Sequence, residues 1–226
     1  GQVKYHLRYK VFIGEKSTDI KTSELSEWKN ASGNKSVIIV GAGPAGLFGA
    51  LKLLEKGIKP IIVERGSVTS KRKQDIAKIS TQNLVNDDSN YCFGEGGAGT
   101  FSDGKLFTRS NKRGNINKIL QIFVHFGANE SILTDAHPHI GTDKLPLIIN
   151  AMREKIISLG GEFYFDTRCV DFIKNEKNKV TGIVTKNTIT QEQKTFTADA
   201  VVVATGHSAF DIYELIGKVN PQALEA

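Results

Sequence analysis

Hydrophobic and polar residues alternate through positions 3–13: Val3, Tyr5, Leu7, Tyr9, Val11 and Ile13 fall on one side, Lys4, His6, Arg8 and Lys10 on the other. A period of two predicts a long half-buried strand, with His6 on its wet face. Residues 14–35 are polar and read as a linker, with a short helical turn around Leu25 and Trp28. Residues 37–40 (Val-Ile-Ile-Val) form an unbroken apolar run, too short and too β-branched for a helix, which suits a strand buried on both faces. Helical spacing follows over 47–56, with Gly57 as its stop. Pro60 opens a second apolar run that ends at Glu64. Weaker helical spacing covers 75–84. A clear helix is expected over 113–126, stopped by Gly127, and another from a Thr142 or Asp143 cap to Leu159, stopped by Gly160 and Gly161. Residues 162–165 predict a third short strand. Residues 168–174, 179–186 and 189–197 predict an antiparallel meander, and the run around 201–204 another buried strand. Ser208 is placed to cap a last helix through Asp211, Ile212, Leu215 and Ile216.

Strands separated by helices predict an α/β domain with a parallel sheet. Its organising stretch is residues 36–66. Between the first strand and first helix stands Gly41-Ala42-Gly43-Pro44-Ala45-Gly46. Gly41 allows a sharp turn, Gly43 lets a diphosphate approach the backbone, and Gly46 lets the helix lie close to the sheet. The free N–H groups at the helix start then face the phosphates, aided by about half a positive charge from the aligned peptide dipoles. Glu64 stands 23 positions after Gly41. That spacing suits a carboxylate that accepts from ribose hydroxyls and repels a 2′-phosphate. The opposing reading, a glycine-rich helix start that serves only packing, leaves this acid unexplained.

A second glycine-rich stretch, residues 90–105, carries five glycines in sixteen residues without periodicity. So much backbone freedom implies a geometric need, such as close approach to a flat or anionic ligand. Within it, Gly97, Gly99 and Thr100 lie in the loop, and Ser102, Asp103 and Lys105 add a hydroxyl, a carboxylate and an ammonium. A flexible surface loop is the alternative. Arg72, in the cluster Lys71-Arg72-Lys73, either reaches a phosphate or belongs to an exposed basic patch.

Composition changes little. The chain has 226 residues, 39% hydrophobic and 24% charged, which is ordinary for a globular protein. Its net charge of +6 suits an anionic cofactor, a nucleic acid or a lysine-rich wet surface, and the lysines are scattered rather than striped. No apolar run approaches the roughly 18 residues of a membrane span. Two cysteines without a CxxC spacing point to a reducing, cytoplasmic location. His137 and His139 lack the further ligands of a metal site, and no metal is expected. His207, beside Gly206, is read as structural, with a catalytic base as the alternative.

The glycine turn with Pro44 and Ala45, the Glu64-Arg65 pair, the meander and the closing Val-Val-Val-Ala204-Thr205-Gly206 together resemble the FAD-dependent oxidoreductases of the glutathione-reductase-like superfamily. More narrowly, residues 93–106, 139–143 and 204–208 look like a bacterial family of NAD(P)/FAD-dependent dehydrogenases whose substrate is not established. The resemblance covers about residues 35–217. It implies a Rossmann-like FAD-binding domain in which Gly41, Gly43 and Gly46 contact the diphosphate and Glu64 the adenosine ribose. Val170 would meet adenine through its backbone. Ala204, Thr205 and Gly206 would lie near the cofactor, and the loop 94–104 near the flavin or diphosphate. NAD(P)H is the reductant it suggests. The expected organisation is residues 1–34 as strand and linker, either joined to a later sheet or left from a preceding domain, then a partial FAD domain over 35–226. Within that domain, residues 86–140 are an excursion lining the cofactor and 168–198 the meander. The superfamily's further strand with its Gly-Asp is not found after Gly206, so the chain is expected to be an N-terminal piece of a larger flavoprotein. Two rivals remain at this point: an NAD-binding domain, and a nucleotide-binding module that recognises RNA or a protein partner.

Overall fold

The computed structural model describes residues 13, 25, 27–106, 114–135 and 137–220. Apart from Ile13, the expected N-terminal strand lies outside them. Strand β1 (Ser36–Val40), helix α1 (Pro44–Leu54) and strand β2 (Lys59–Val63) form the opening β-α-β unit. Helix α2 (Thr69–Gln82) follows, then an irregular stretch over residues 83–106, and later helix α3 (Ile116–His125), a 3-10 turn (Glu130–Leu133) and helix α4 (Leu145–Ser158). Strand β3 (Glu162–Tyr164) leads into β4 (Thr167–Lys174), β5 (Val180–Asn187) and β6 (Gln193–Thr197); β7 (Ala200–Val203) and α5 (Phe210–Val219) close the order.

Among the described residues, one sheet is parallel with order β3-β2-β1-β7, and a second is antiparallel with order β4-β5-β6. The parallel sheet is covered on both sides, and its period-two side chains divide accordingly. Val37, Ile39 and Ile62 face α1, α3 and α4, joining Leu47, Leu51 and Met152. Ile38, Val40, Ile61 and Val63 face the antiparallel sheet and α5, meeting Ile183, Phe196 and Ile212. This two-sided burial is why β1 and β2 read as unbroken apolar runs.

The structure corrects several local expectations. Helix α1 begins at Pro44, whose fixed φ suits a first turn and whose missing N–H has no partner to lose there. Helix α2 begins at Thr69, six residues before its apolar spacing; its buried face is polar, with Thr69, Arg72 and Asp75 inward. Neither Thr142 nor Asp143 caps α4, which starts after Lys144 with Pro146 in its first turn, and Ser208 does not cap α5. Among the described residues strand β7, expected to be buried, lies at the edge of the sheet: Val202 is 44% and Val203 40% exposed. No helix among the described residues is long and apolar enough to cross a membrane.

Candidate functional site

Chain order places the site. From β1 the sheet grows through β2 to β3 on one side and adds β7 on the other. From β1 the chain passes to α1 on one face of the sheet and from β7 to α5 on the other, so a crevice opens at the carboxyl edge of the sheet, where open α/β sheets bind ligands. A cavity of about 680 Å³ lies there, within the usual range for ligand sites of about 300–1,000 Å³. The strand ends Val40, Val63 and Val203 form its floor.

The first glycine turn borders this cavity through Gly41, Gly43, Pro44 and Ala45. Gly41 has φ +110°, a left-handed conformation that suits glycine, and a Cβ there would lie 2.5 Å from the Ala204 carbonyl oxygen. The turns after β1 and β7 thus touch backbone to backbone. Gly46 seats α1 on the turn itself, since a Cβ there would strike the Gly41 carbonyl. Pro44 and Ala45 are exposed at the helix mouth, which no side chain caps.

Glu64 lines the cavity, yet it is only 5% exposed. Its carboxylate accepts from the N–H of Ala42 at 2.8 Å, of Gly66 at 2.9 Å and of Gly94 at 3.0 Å. It ties the first glycine turn to the second. An ionised carboxyl has about four acceptor positions, so three are taken by protein. Sequence spacing identified the acid but not this internal task.

The second glycine loop lies directly against the first. A Cβ on Gly97 would be 3.3 Å from the Gly43 Cα and 3.1 Å from the Pro44 Cδ. Gly97, Ala98 and Gly99 line the cavity. Two of the expected contact residues, Arg72 and Thr100, are not on the cavity wall. Arg72 does not border the cavity; it is fully buried and holds the loop from behind. Thr100 is also fully buried, its hydroxyl bonded to the carbonyls of Glu95 and Gly97. Ser102 borders a separate, smaller apolar cavity of about 160 Å³ on the far side of the loop. Asp103 pairs with Lys105 at 3.1 Å, both exposed.

Toward the meander, Thr167 and Cys169 line the cavity, while Val170 stands next to the lining. Cys169 pairs with Thr185 and Asp171 with Val184, so Val170 is an extra residue in the ladder. Such a bulge removes its backbone groups from regular pairing. Ala204, Thr205, Gly206 and His207 form the opposite wall. Arg65 also lines it, with its guanidinium 4.4 Å from the centre of the Phe93 ring and paired with Asp211 of α5. Asp211 and Tyr213 had no signal in the sequence as site residues; they reach Arg65 and the cavity from α5, which packs against β4.

The two cysteines differ. Cys92 is exposed on the cavity wall; Cys169 is buried, and burial pushes its thiol up to about 12. Maleimide at neutral pH should therefore label Cys92 and leave Cys169 untouched in the folded protein. Equal labelling of both, read by peptide mass, would contradict this packing. The described residues contain no cluster of three or more His, Cys, Asp or Glu that could hold a metal ion.

Residues 35–223 match the pyridine nucleotide-disulphide oxidoreductase family. The chain belongs to that family. An uncharacterized protein of Clostridium beijerinckii is 38% identical over 207 residues, covering 89% of this chain and 37% of its own length. The chain thus spans little more than a third of that relative. A 56-residue stretch is 46% identical to the dual trans-enoyl reductase/FAD-dependent monooxygenase tazHJ of Aspergillus terreus, covering 25% of this chain and 8% of that one. Among solved structures, THI4 of Thermovibrio ammonificans superposes with a TM-score of 0.55 at 20% identity, covering 83% of this chain and 63% of that one. The family match and this likeness agree with a Rossmann-like FAD-binding fold: a parallel sheet crossed by an antiparallel meander.

Proposed function

We propose that the chain is the cofactor-binding part of an FAD-dependent oxidoreductase, with NAD(P)H as reductant. One observation carries this reading. Two glycine turns from distant parts of the chain meet backbone to backbone at the mouth of α1, beside a cavity of cofactor size. A Cβ on Gly97 would crowd that contact, at 3.1 Å from the Pro44 Cδ and 3.3 Å from the Gly43 Cα, and the space in front of it suits a doubly charged phosphate linker. The family match supports the same class of cofactor.

In this reading the amide groups of Ala45 and Gly46 hold the diphosphate, with Gly41 and Gly43 keeping the approach clear. Glu64 offers its remaining acceptor position to the adenosine ribose, and the bulge at Val170 meets adenine through its backbone. Ala204, Thr205 and Gly206 close the opposite wall, and Arg65, held by Phe93 and Asp211, bounds the cavity beside Glu64. FAD, when bound, supplies two-electron transfer at the hydride level, which protein side chains do not. The chain's own task is to bind it, orient it and exclude water.

The intact protein should purify yellow, with a visible flavin band, and mass spectrometry of the released ligand should give FAD rather than NAD. A colourless protein that stays colourless after reconstitution with FAD would remove the proposal. Bound FAD should also slow maleimide labelling of Cys92, which lies on the cavity wall.

A further inference from the structure

We propose that Arg72, buried behind the second glycine loop, is a positioning residue that turns the amide hydrogens of Ala98 and Gly99 into the cavity, as a second phosphate-binding element facing the mouth of α1. This rests on the cofactor reading above.

Arg72 lies in the first turns of α2 and is 0% exposed. Its five N–H groups face six acceptors, all in the second loop. Nε donates to the Asn90 carbonyl at 2.9 Å, and Nη2 to that of Tyr91 at 3.1 Å. Nη1 faces the carbonyls of Gly94 at 3.4 Å, Glu95 at 2.8 Å and Gly97 at 2.7 Å, and the Thr100 hydroxyl at 3.1 Å. Burial lowers its pKa to about 10, with Glu64 opposing that shift; the group therefore stays charged at neutral pH.

The consequence follows from peptide planarity. In a trans peptide the N–H points away from the preceding carbonyl. Each carbonyl drawn in to Arg72 therefore turns the next N–H outward. Two neighbours obey this rule with known partners: Glu95 N–H reaches the Ser67 carbonyl at 3.1 Å, and Gly96 N–H reaches the Ala42 carbonyl at 2.8 Å. At Gly97 the carbonyl is on Arg72, so the Ala98 N–H faces the opposite way; the same carbonyl accepts from the Thr100 N–H at 3.3 Å, closing a turn over residues 97–100 that carries Gly99 on its corner beside Ala98. Ala98 and Gly99 are exposed and line the cavity. Among the described residues neither amide hydrogen has a protein acceptor. Gly94, Gly96 and Gly97 have φ of +117°, +81° and +73°, and such left-handed residues let successive N–H groups converge on one anion. The guanidinium charge behind the same peptides polarises them further. From the other side, Glu95 anchors the loop through Arg153, at 2.6 and 2.7 Å, and through the N–H of Thr69.

The intact protein, labelled with 15N-alanine and 15N-glycine, is titrated with ADP and separately with adenosine. With ADP, the Ala98 and Gly99 amide resonances should move together with those of Ala45 and Gly46; with adenosine they should stay. Movement at Ala45 and Gly46 alone would overturn the proposal and leave the cofactor reading standing. Movement at neither would overturn both. In Arg72→Lys, which loses the planar fork, affinity for ADP and FAD should fall at least about tenfold while adenosine affinity is kept, because only the phosphate contacts weaken. Equal loss for adenosine and ADP, or wild-type affinity for both, would refute the positioning role. Should Arg72→Lys fail to fold, the wild-type resonances still decide.

Discussion

Gly46→Ala should lower the unfolding free energy by about 3 kcal/mol, the upper end of what overpacking costs, and abolish cofactor retention. The added methyl would strike the Gly41 carbonyl oxygen, lie 3.1 Å from the Gly41 carbonyl carbon and touch the Ile39 side chain. Side chains can rotate away from such a clash; a backbone carbonyl cannot. Relief requires α1 to lift off β1, which loosens Leu47, Ala50, Leu51 and Leu54, all nearly fully buried. It also moves the turn that rests on Ala204. Gly43→Ala provides the contrast. A Cβ there meets only the Gly97 Cα, at 3.8 Å, and Gly43 has an ordinary extended conformation with φ −75°. Its stability should stay within about 0.5 kcal/mol of wild type, while cofactor affinity falls because the methyl stands where the phosphates approach. Urea midpoints and flavin titrations separate the two effects. A Gly46→Ala protein with a wild-type midpoint would contradict the seating of α1.

Glu64→Gln should also destabilise the fold, by about 2–4 kcal/mol, since a buried donor left unsatisfied costs about 1–3 kcal/mol and bonds to charged groups are the stronger ones. The carboxylate accepts at both oxygens: one serves Ala42, the other Gly66 and Gly94. An amide in its place has one oxygen. Whichever way it turns, its NH2 faces at least one backbone N–H, donor against donor. The loss of negative charge also removes a partner that favours the charged form of Arg72, which is fully buried. The two glycine turns should separate first. Hydrogen exchange should therefore show residues 92–99 losing protection at a lower denaturant concentration than β1 and β2. Uniform protection with an unchanged midpoint would mean that the carboxylate does not tie the turns together.

How much of this was legible before folding differs from element to element. The run at 37–40, the glycine turn and the run at 60–64 were legible because each expresses a local rule: burial on both faces, a sharp turn, a helix mouth. Helix α4 and the meander were legible through periodicity. Helix α2 was legible only in its second half, because its buried face carries Thr69, Arg72 and Asp75 instead of leucines. In the triplet Lys71-Arg72-Lys73 the middle cation is inside the protein, and no scale of polarity distinguishes it from its neighbours. The spacing of Thr69, Arg72 and Asp75, three residues apart, was the available hint. The valines of β7 read as buried because an apolar run carries no mark of whether another strand lies beside it.

By itself the sequence determined the β-α-β unit and the glycines that clear the helix mouth, since turn geometry and side-chain period act within a few residues. Only the tertiary structure decided the duties of Glu64, Arg72 and Thr100, the edge position of β7, and the meeting of the two glycine loops. Those depend on which distant carbonyls and amides a buried charge finds when the chain closes, and that pairing has no local signature.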